Sequence, residues 1–241
     1  MMRLYPKVPH PFVIEPPLLE QEHFPKKSQL SFNLVLIGHA IQHFPYFVYT
    51  FREMGSSGIG KNRGRYSLLK VSSQDENQNL TTLYSHENPE KIITDFHIIS
   101  NFSPTQTVPS EITLYFLTPL RIKSNERLSS QLPFSLLLSN LLRRISALSY
   151  FHCNEKLILN FKELIQQAKS IKIINHSLYW RDWQRYSSRQ NTKMALGGLI
   201  GKVSYSGELS PFWHYLKIGG YIHAGKATTF GLGKYFISSA I

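Results

Sequence analysis

The residues best equipped for chemistry lie near the C-terminus, in His223-Ala224-Gly225-Lys226-Ala227-Thr228-Thr229-Phe230-Gly231-Leu232-Gly233-Lys234-Tyr235. Glycine lets a backbone approach a ligand closely and present its N–H groups. Lysines beside such a bend supply positive charge for phosphates. Aromatic rings stack on unpaired bases. Gly225, Lys226, Thr228, Gly231, Gly233 and Lys234 are therefore read as contacts to a nucleic-acid backbone. His223 opens the bend, close to Lys226. A histidine beside a cation suits cleavage of RNA by its own 2′-hydroxyl. A base takes the 2′ proton, a cation stabilises the pentacoordinate phosphate, and an acid protonates the leaving oxygen. That chemistry needs no metal. The same position also suits a ring packed beneath the loop.

A second stretch, Trp180-Arg181-Asp182-Trp183-Gln184-Arg185-Tyr186-Ser187-Ser188-Arg189-Gln190, interleaves arginines with aromatics. Arginine forks onto phosphates and tryptophan or tyrosine stacks on bases. Arg181, Arg185, Ser187, Arg189 and Gln190 are read as RNA contacts. In an extended chain Arg181, Trp183 and Arg185 share one face. An edge strand with a charged outer side is the plainer alternative. Lys61 and Arg63, in the glycine- and base-rich segment 55–64, join the same set.

Two other patterns are weaker. Gly220 through Gly225-Lys226 fits most of G-x-x-x-x-G-K-[ST], but Ala227 stands where the magnesium-binding hydroxyl belongs, and a helix precedes the loop. A nucleotide-binding P-loop needs strand, loop, helix, so nucleotide binding is not expected. His39 and His43 are spaced i, i+4 on one helix face. No third ligand stands near them in sequence, so no metal site is expected, and both are kept as further candidates for the catalytic base or acid.

Composition sets the class of partner. The chain has 241 residues and a net charge of +12, with a pI near 9.7. Residues 1–120 carry 10 basic and 10 acidic side chains, whereas 121–241 carry 17 and 5. The whole excess thus lies in the second half, as a polyanion-binding face there would require. Cys153 is the only cysteine. That excludes an internal disulfide and fits a reducing cytoplasm. No apolar run reaches the ~18 residues of a membrane span.

The elements that must position these groups follow from periodicity. Residues 1–28 read as an extended, proline-rich arm. Leu30–Ile37 alternates as a strand, and His39–Met54 has a helical stripe closed by Gly55. Strands are expected at 65–71, 111–117 and 198–205, with a polar loop or hairpin over 72–91. Helices are expected at 133–151 and 155–168, and from a Ser210 cap with Pro211 at its first position to about Gly219. A weak repeat links Pro45 to Gly64-Arg65-Tyr66 and Pro211 to Gly233-Lys234-Tyr235. Each copy runs helix, glycine loop, strand, the closing half of a β-α-β-β-α-β unit.

Taken as a set, these motifs resemble the sixth CRISPR-associated (Cas) family, the RAMP-superfamily endoribonucleases that process precursor CRISPR RNA. The resemblance is carried by Tyr5-Pro6 through Pro17, by Gly58-Ile59-Gly60-Lys61-Asn62-Arg63-Gly64-Arg65, by Arg185 through Gln190, and by Gly197-Gly198-Leu199-Ile200-Gly201. Its most specific part is His223-x-Gly225-Lys226-x-Thr228-x-Phe230-Gly231-x-Gly233. It implies an α+β fold of tandem ferredoxin-like (RRM-like) βαββαβ units. It implies CRISPR repeat RNA or crRNA as partner, with effector-complex subunits or a second copy as further partners. It implies cleavage without metal or cofactor that leaves a 2′,3′-cyclic phosphate. Family members usually begin with a strand and a helix upstream of the segment that opens here, and that helix often carries the catalytic group. The first unit, 1–108, is therefore expected to be incomplete and the second, 109–241, complete. A non-catalytic RNA-binding subunit is the alternative.

Overall fold

A computed structural model describes residues 8–18, 23–60, 62–100, 102, 107–124, 127–187 and 192–239. The chain forms two compact units, Met1–Gly38 with Ser103–Ile241, and His39–Phe102. Each is α+β. No helix among the described residues is long and apolar enough to cross a membrane.

In the larger unit, β1 (Phe12–Glu15) and β2 (Asn33–Leu36) form an antiparallel pair. The proline-rich arm is therefore pinned by pairing, with Val13 fully buried and Glu15 nearly so. In the smaller unit a 3₁₀ turn, Gly38–His43, leads into α1 (Phe44–Ser57). β3 (Lys70–Gln74) and β4 (Leu80–Ser85) follow as a hairpin.

The second half holds β5 (Glu111–Leu120), the short pair β6 (Lys123–Ser124) and β7 (Arg127–Leu128), α2 (Phe134–His152), α3 (Phe161–Ala168), β8 (Lys172–Arg181), β9 (Gln184–Ser187), β10 (Thr192–Ala195), β11 (Gly198–Ser206), α4 (Trp213–Ile222) and β12 (Tyr235–Ser239). The main sheet has the order β12-β5-β11-β8, antiparallel throughout. Counting only its strands and the helices α2 and α4, this is βαββαβ with strand order 4-1-3-2, a ferredoxin-like unit. Alternation along β5 buries Ile112, Leu114 and Phe116. They meet Leu137, Leu138, Leu141, Leu142 and Ile145 of α2 and Leu216 of α4 in one core.

Several boundaries differ from the periodicity. α3 starts at Phe161, not 155, because the Asn160 side chain accepts the Glu163 N–H at 3.2 Å and caps it there. Ser210 caps nothing; its N–H donates to Glu208 Oε1 at 3.1 Å, and a 3₁₀ turn, Ser210–Phe212, precedes α4. Residues 65–69 lack regular pairing, and the strand falls at 70–74.

Two glycines read as helix ends lie inside helices. α1 runs past Gly55 to Ser57 and α4 past Gly219 to Ile222. A Cβ on Gly55 would lie 2.2 Å from the Tyr66 carbonyl oxygen, and one on Gly219 would lie 2.2 Å from Tyr235 Oη. The Tyr66 hydroxyl donates to Phe51 O and the Tyr235 hydroxyl to Leu216 O, both at 2.6 Å. Each tyrosine is the one that follows the Gly-Arg or Gly-Lys of the repeat. Both copies of the repeat thus set a tyrosine against a helical glycine, by its backbone carbonyl at Gly55 and by its hydroxyl at Gly219.

Adjacent glycines of α4 should respond oppositely to alanine. Gly219→Ala should cost about 1–3 kcal/mol, because its methyl collides with Tyr235 Oη and with Leu141 Cδ2 at 2.6 Å. Gly220→Ala meets only Tyr235 O at 3.6 Å and should stabilise by up to ~1 kcal/mol through helix propensity. Chemical denaturation of the two variants measures both.

Candidate nucleic-acid interface

The glycine-rich bend closes on itself and on the end of β5. Ala224 N–H donates to Gly233 O at 3.1 Å, and Gly233 N–H to Pro119 O at 3.1 Å. Lys226 N–H reaches Arg121 O at 2.9 Å. Gly225 N–H reaches Asn140 Oδ1 of α2 at 2.7 Å. Thr118 works in both directions, its hydroxyl donating to Gly231 O at 2.7 Å and accepting from Lys234 N–H at 2.8 Å. One turn along α2 from Asn140, Arg144 Nε donates to Ile222 O at 2.9 Å and closes the end of α4. Burial lowers that guanidinium to a pKa of about 10.

Positive φ lets the chain turn this tightly. Gly225, Gly231 and Gly233 have φ of +85°, +81° and +73°, and Ala227 adopts +61° without being glycine. Leu232 and Ala224 point inward, fully buried. The outside of the bend shows the Lys226 ammonium and the Phe230 ring, the latter 45% exposed.

His223 does not stand at the mouth of this loop. Its side chain is fully buried, with Nδ1 3.1 Å from Leu232 O and Nε2 2.8 Å from Glu15 Oε1. A carbonyl and a carboxylate both only accept, so this arrangement is satisfied with hydrogen on both ring nitrogens. The structure thus places His223 beneath the loop, the alternative that its sequence position also allowed. Burial would push the Glu15 carboxyl up, but hydrogen bonds from His223, Lys234 and Asn33, with the Lys234 charge, hold it at about 2. Lys234 is therefore committed to Glu15 Oε2. Thr228, Gly231 and Gly233 are buried as well, and they shape the loop rather than line its surface.

The basic-aromatic stretch is not one extended face. β8 ends at Arg181 and β9 begins at Gln184, with Asp182 accepting from Trp180 Nε1 at 2.9 Å in between. Arg185 and Ser187 lie on β9, paired with Met194 and Thr192 of β10. Arg181, Trp180 and Trp183 are exposed. Arg189, Gln190 and Lys61 lie outside the described residues. Arg121 joins the two basic segments: its carbonyl holds Lys226, while Nη1 donates to Ala195 O at 2.6 Å and Gly197 O at 3.2 Å.

In the smaller unit, Arg63 is exposed in a tight turn closed by two Ile59–Gly64 hydrogen bonds of 3.0 and 2.9 Å. His39 and His43 are exposed at the start of α1. Their rings lie 6.4 Å apart, and the Tyr46 ring lies 6.0 Å from His43. Tyr46 is 71% exposed. Sequence reading missed Glu15, Thr118, Arg121 and Asn140. The only local hint was a carboxylate in phase with Val13 in an apolar strand.

A family model described as CRISPR-associated endoribonuclease Cas6 matches residues 114–235. A second, described as the AF_1859 N-terminal domain, matches residues 1–96. No curated protein sequence matches the chain. Among solved structures, the product complex of Cas6 (TTHB231) is similar with a TM-score of 0.60 at 15% identity, over 98% of this chain and 85% of that one. Thermus thermophilus Cas6 (TTHB231) gives 0.56 at 14%, over 98% and 83%. A partial Cas6-RT-Cas1–Cas2 complex gives 0.56 at 18%, over 95% of this chain and 39% of that one. The fold is therefore the double ferredoxin-like fold of those Cas6 structures.

Gly233→Ala should disorganise the bend, because its Cβ would sit 1.8 Å from Ala224 O at a φ alanine rarely adopts. Proteolysis confined to 224–233 would register the change. Glu15 makes a separate, pH-dependent contribution. Its folded pKa is depressed, so its stabilisation is complete above about pH 4.5 and is lost as pH falls toward 2. Glu15→Gln should therefore destabilise by about 1–3 kcal/mol at pH 7, with the gap to the native chain narrowing as acid is added. Denaturant midpoints across that range measure it.

Proposed function

Because the chain belongs to the CRISPR-associated endoribonuclease Cas6 family, we propose that it binds CRISPR repeat RNA and cuts it by attack of the 2′-hydroxyl on the adjacent phosphate, leaving a 2′,3′-cyclic phosphate. The observation that carries this reading is the rim of the glycine bend. Lys226 and Phe230 are exposed there, while Ala224, Leu232 and Gly233 behind them are buried. A bend offering an exposed ammonium and a half-exposed aromatic ring matches a ribose-phosphate strand with an unpaired base. The exposed Trp180, Arg181 and Trp183 extend the same chemistry on the end of β8 and the turn after it.

The proton transfers are assigned to His39 and His43. Both are exposed on the 3₁₀ turn before α1, their rings 6.4 Å apart, and the reaction needs one group to accept the 2′ proton and another to give one to the leaving 5′ oxygen. Water is not the nucleophile and the phosphate is attacked from within the substrate. This reading therefore has the reaction run without a metal, and it makes mature crRNA the product.

Incubation with repeat RNA in EDTA should give one discrete product ending in a cyclic phosphate. A repeat with 2′-deoxyribose at the cut should bind and stay whole. His43→Ala should slow cleavage by about 10²–10⁴ while leaving Kd in place, whereas His223→Gln should act on stability first. Affinity should fall with salt, at about 0.7 log units per log unit of salt for each phosphate engaged on a single strand. Tight binding with no cut under any condition would leave a purely RNA-binding subunit.

A further inference from the structure

We infer that Glu15 is a positioning residue for the glycine-rich bend: its carboxylate ties both ends of the bend to the N-terminal arm, and RNA affinity depends on that tie. The inference rests on the RNA-binding reading above. It extends that reading to a strand 208 residues away from His223, carrying no chemistry of its own toward RNA.

The geometry is specific. One carboxylate oxygen accepts His223 Nε2 at 2.8 Å, at the start of the bend. The other accepts Lys234 Nζ, at its end, and Asn33 Nδ2 of β2 at 3.0 Å. Both ends of the bend and both strands of the arm hairpin thus meet on one side chain that is only 8% exposed. The arm backbone also lies against the turn of the bend. A Cβ on Gly231 would be 2.7 Å from Pro16 Cδ and 2.8 Å from Ile14 O, so only glycine lets the two chains come this close. Thr118, Arg121 and Asn140 hold the bend independently of the arm. Removing the Glu15 charge therefore leaves the bend attached but loosens its turn, which carries Lys226 and Phe230. A loosened turn must be ordered again when RNA binds, and that cost falls on affinity, not on the chemical step.

The test uses the full chain with Glu15→Gln, and with Glu15→Asp in case the glutamine variant does not fold. Aspartate keeps the charge but is one methylene too short to reach both ends. Amide hydrogen exchange should speed up across 224–233 by about ten-fold or more beyond any change in β5 and β11. Repeat-RNA Kd should weaken about ten-fold, the loss of one charge-assisted contact, with kcat at saturating RNA unchanged. Native exchange in the bend and a native Kd for both variants would overturn the inference. So would acceleration spread evenly over β5 and β11, which marks general destabilisation. If the native chain itself fails to hold repeat RNA, the binding reading falls, and the exchange rates alone uphold or overturn the tie.

Discussion

An ionised carboxylate shut away from water is unstable unless donors surround it, and Glu15 has three. That requirement fixes more than one side chain. It fixes the Nε2 edge of His223 toward the carboxylate, aims the Lys234 ammonium inward, and holds β1 and β2 together through Asn33. The arm cannot leave without stranding a buried histidine and a lysine, and the bend cannot open without stranding the carboxylate. Two segments from opposite ends of the chain are thereby made one structural element. The bend then presents a defined surface instead of sampling many.

Behind this element stands the ferredoxin-like core. β5 ends in Thr118-Pro119-Leu120, Arg121 follows, and three of those four residues bond to the bend. Asn140 and Arg144 approach from α2, whose other side is the apolar stripe buried on the sheet. The same helix therefore packs the core with one face and braces the loop stem with another. Arg121 carries the bracing on to Ala195 and Gly197, so the hairpin β9–β10 is referenced to the same strand end.

Much of this was legible in sequence because periodicity reports burial. The stripe Leu137, Leu141, Ile145, Leu148 gave α2 nearly to the residue, and alternation gave β5 and β11. The glycine bend was legible as a tight loop from composition alone. The glycines within helices were not, because a glycine that ends a helix and one that admits a close neighbour look alike in a single chain. Gly55 admits the Tyr66 carbonyl and Gly219 the Tyr235 hydroxyl. His223 misled for a related reason. Its neighbours in sequence, Gly225 and Lys226, suggested a surface, but its partner Glu15 lies on another strand, and long-range ion pairing leaves no local trace. The i, i+4 spacing of His39 and His43 was read as one helix face; the structure sets both on the 3₁₀ turn before α1, with their rings 6.4 Å apart.

β8 lies at the margin of the main sheet, and among the described residues it pairs on one side only, with β11. Along its ten residues the side chains are almost all in contact with water, among them Ile173, Ile174, Tyr179 and Trp180. Such a margin offers a row of backbone groups to any passing strand. Lys172 and Arg181 stand at its two tips as charged stops, and the net positive charge of the second half works against a like-charged strand pairing there. The positive charge that suits a polyanion thus also works as the chain's colloidal defence. Salt strong enough to strip RNA from the protein weakens that defence at the same time.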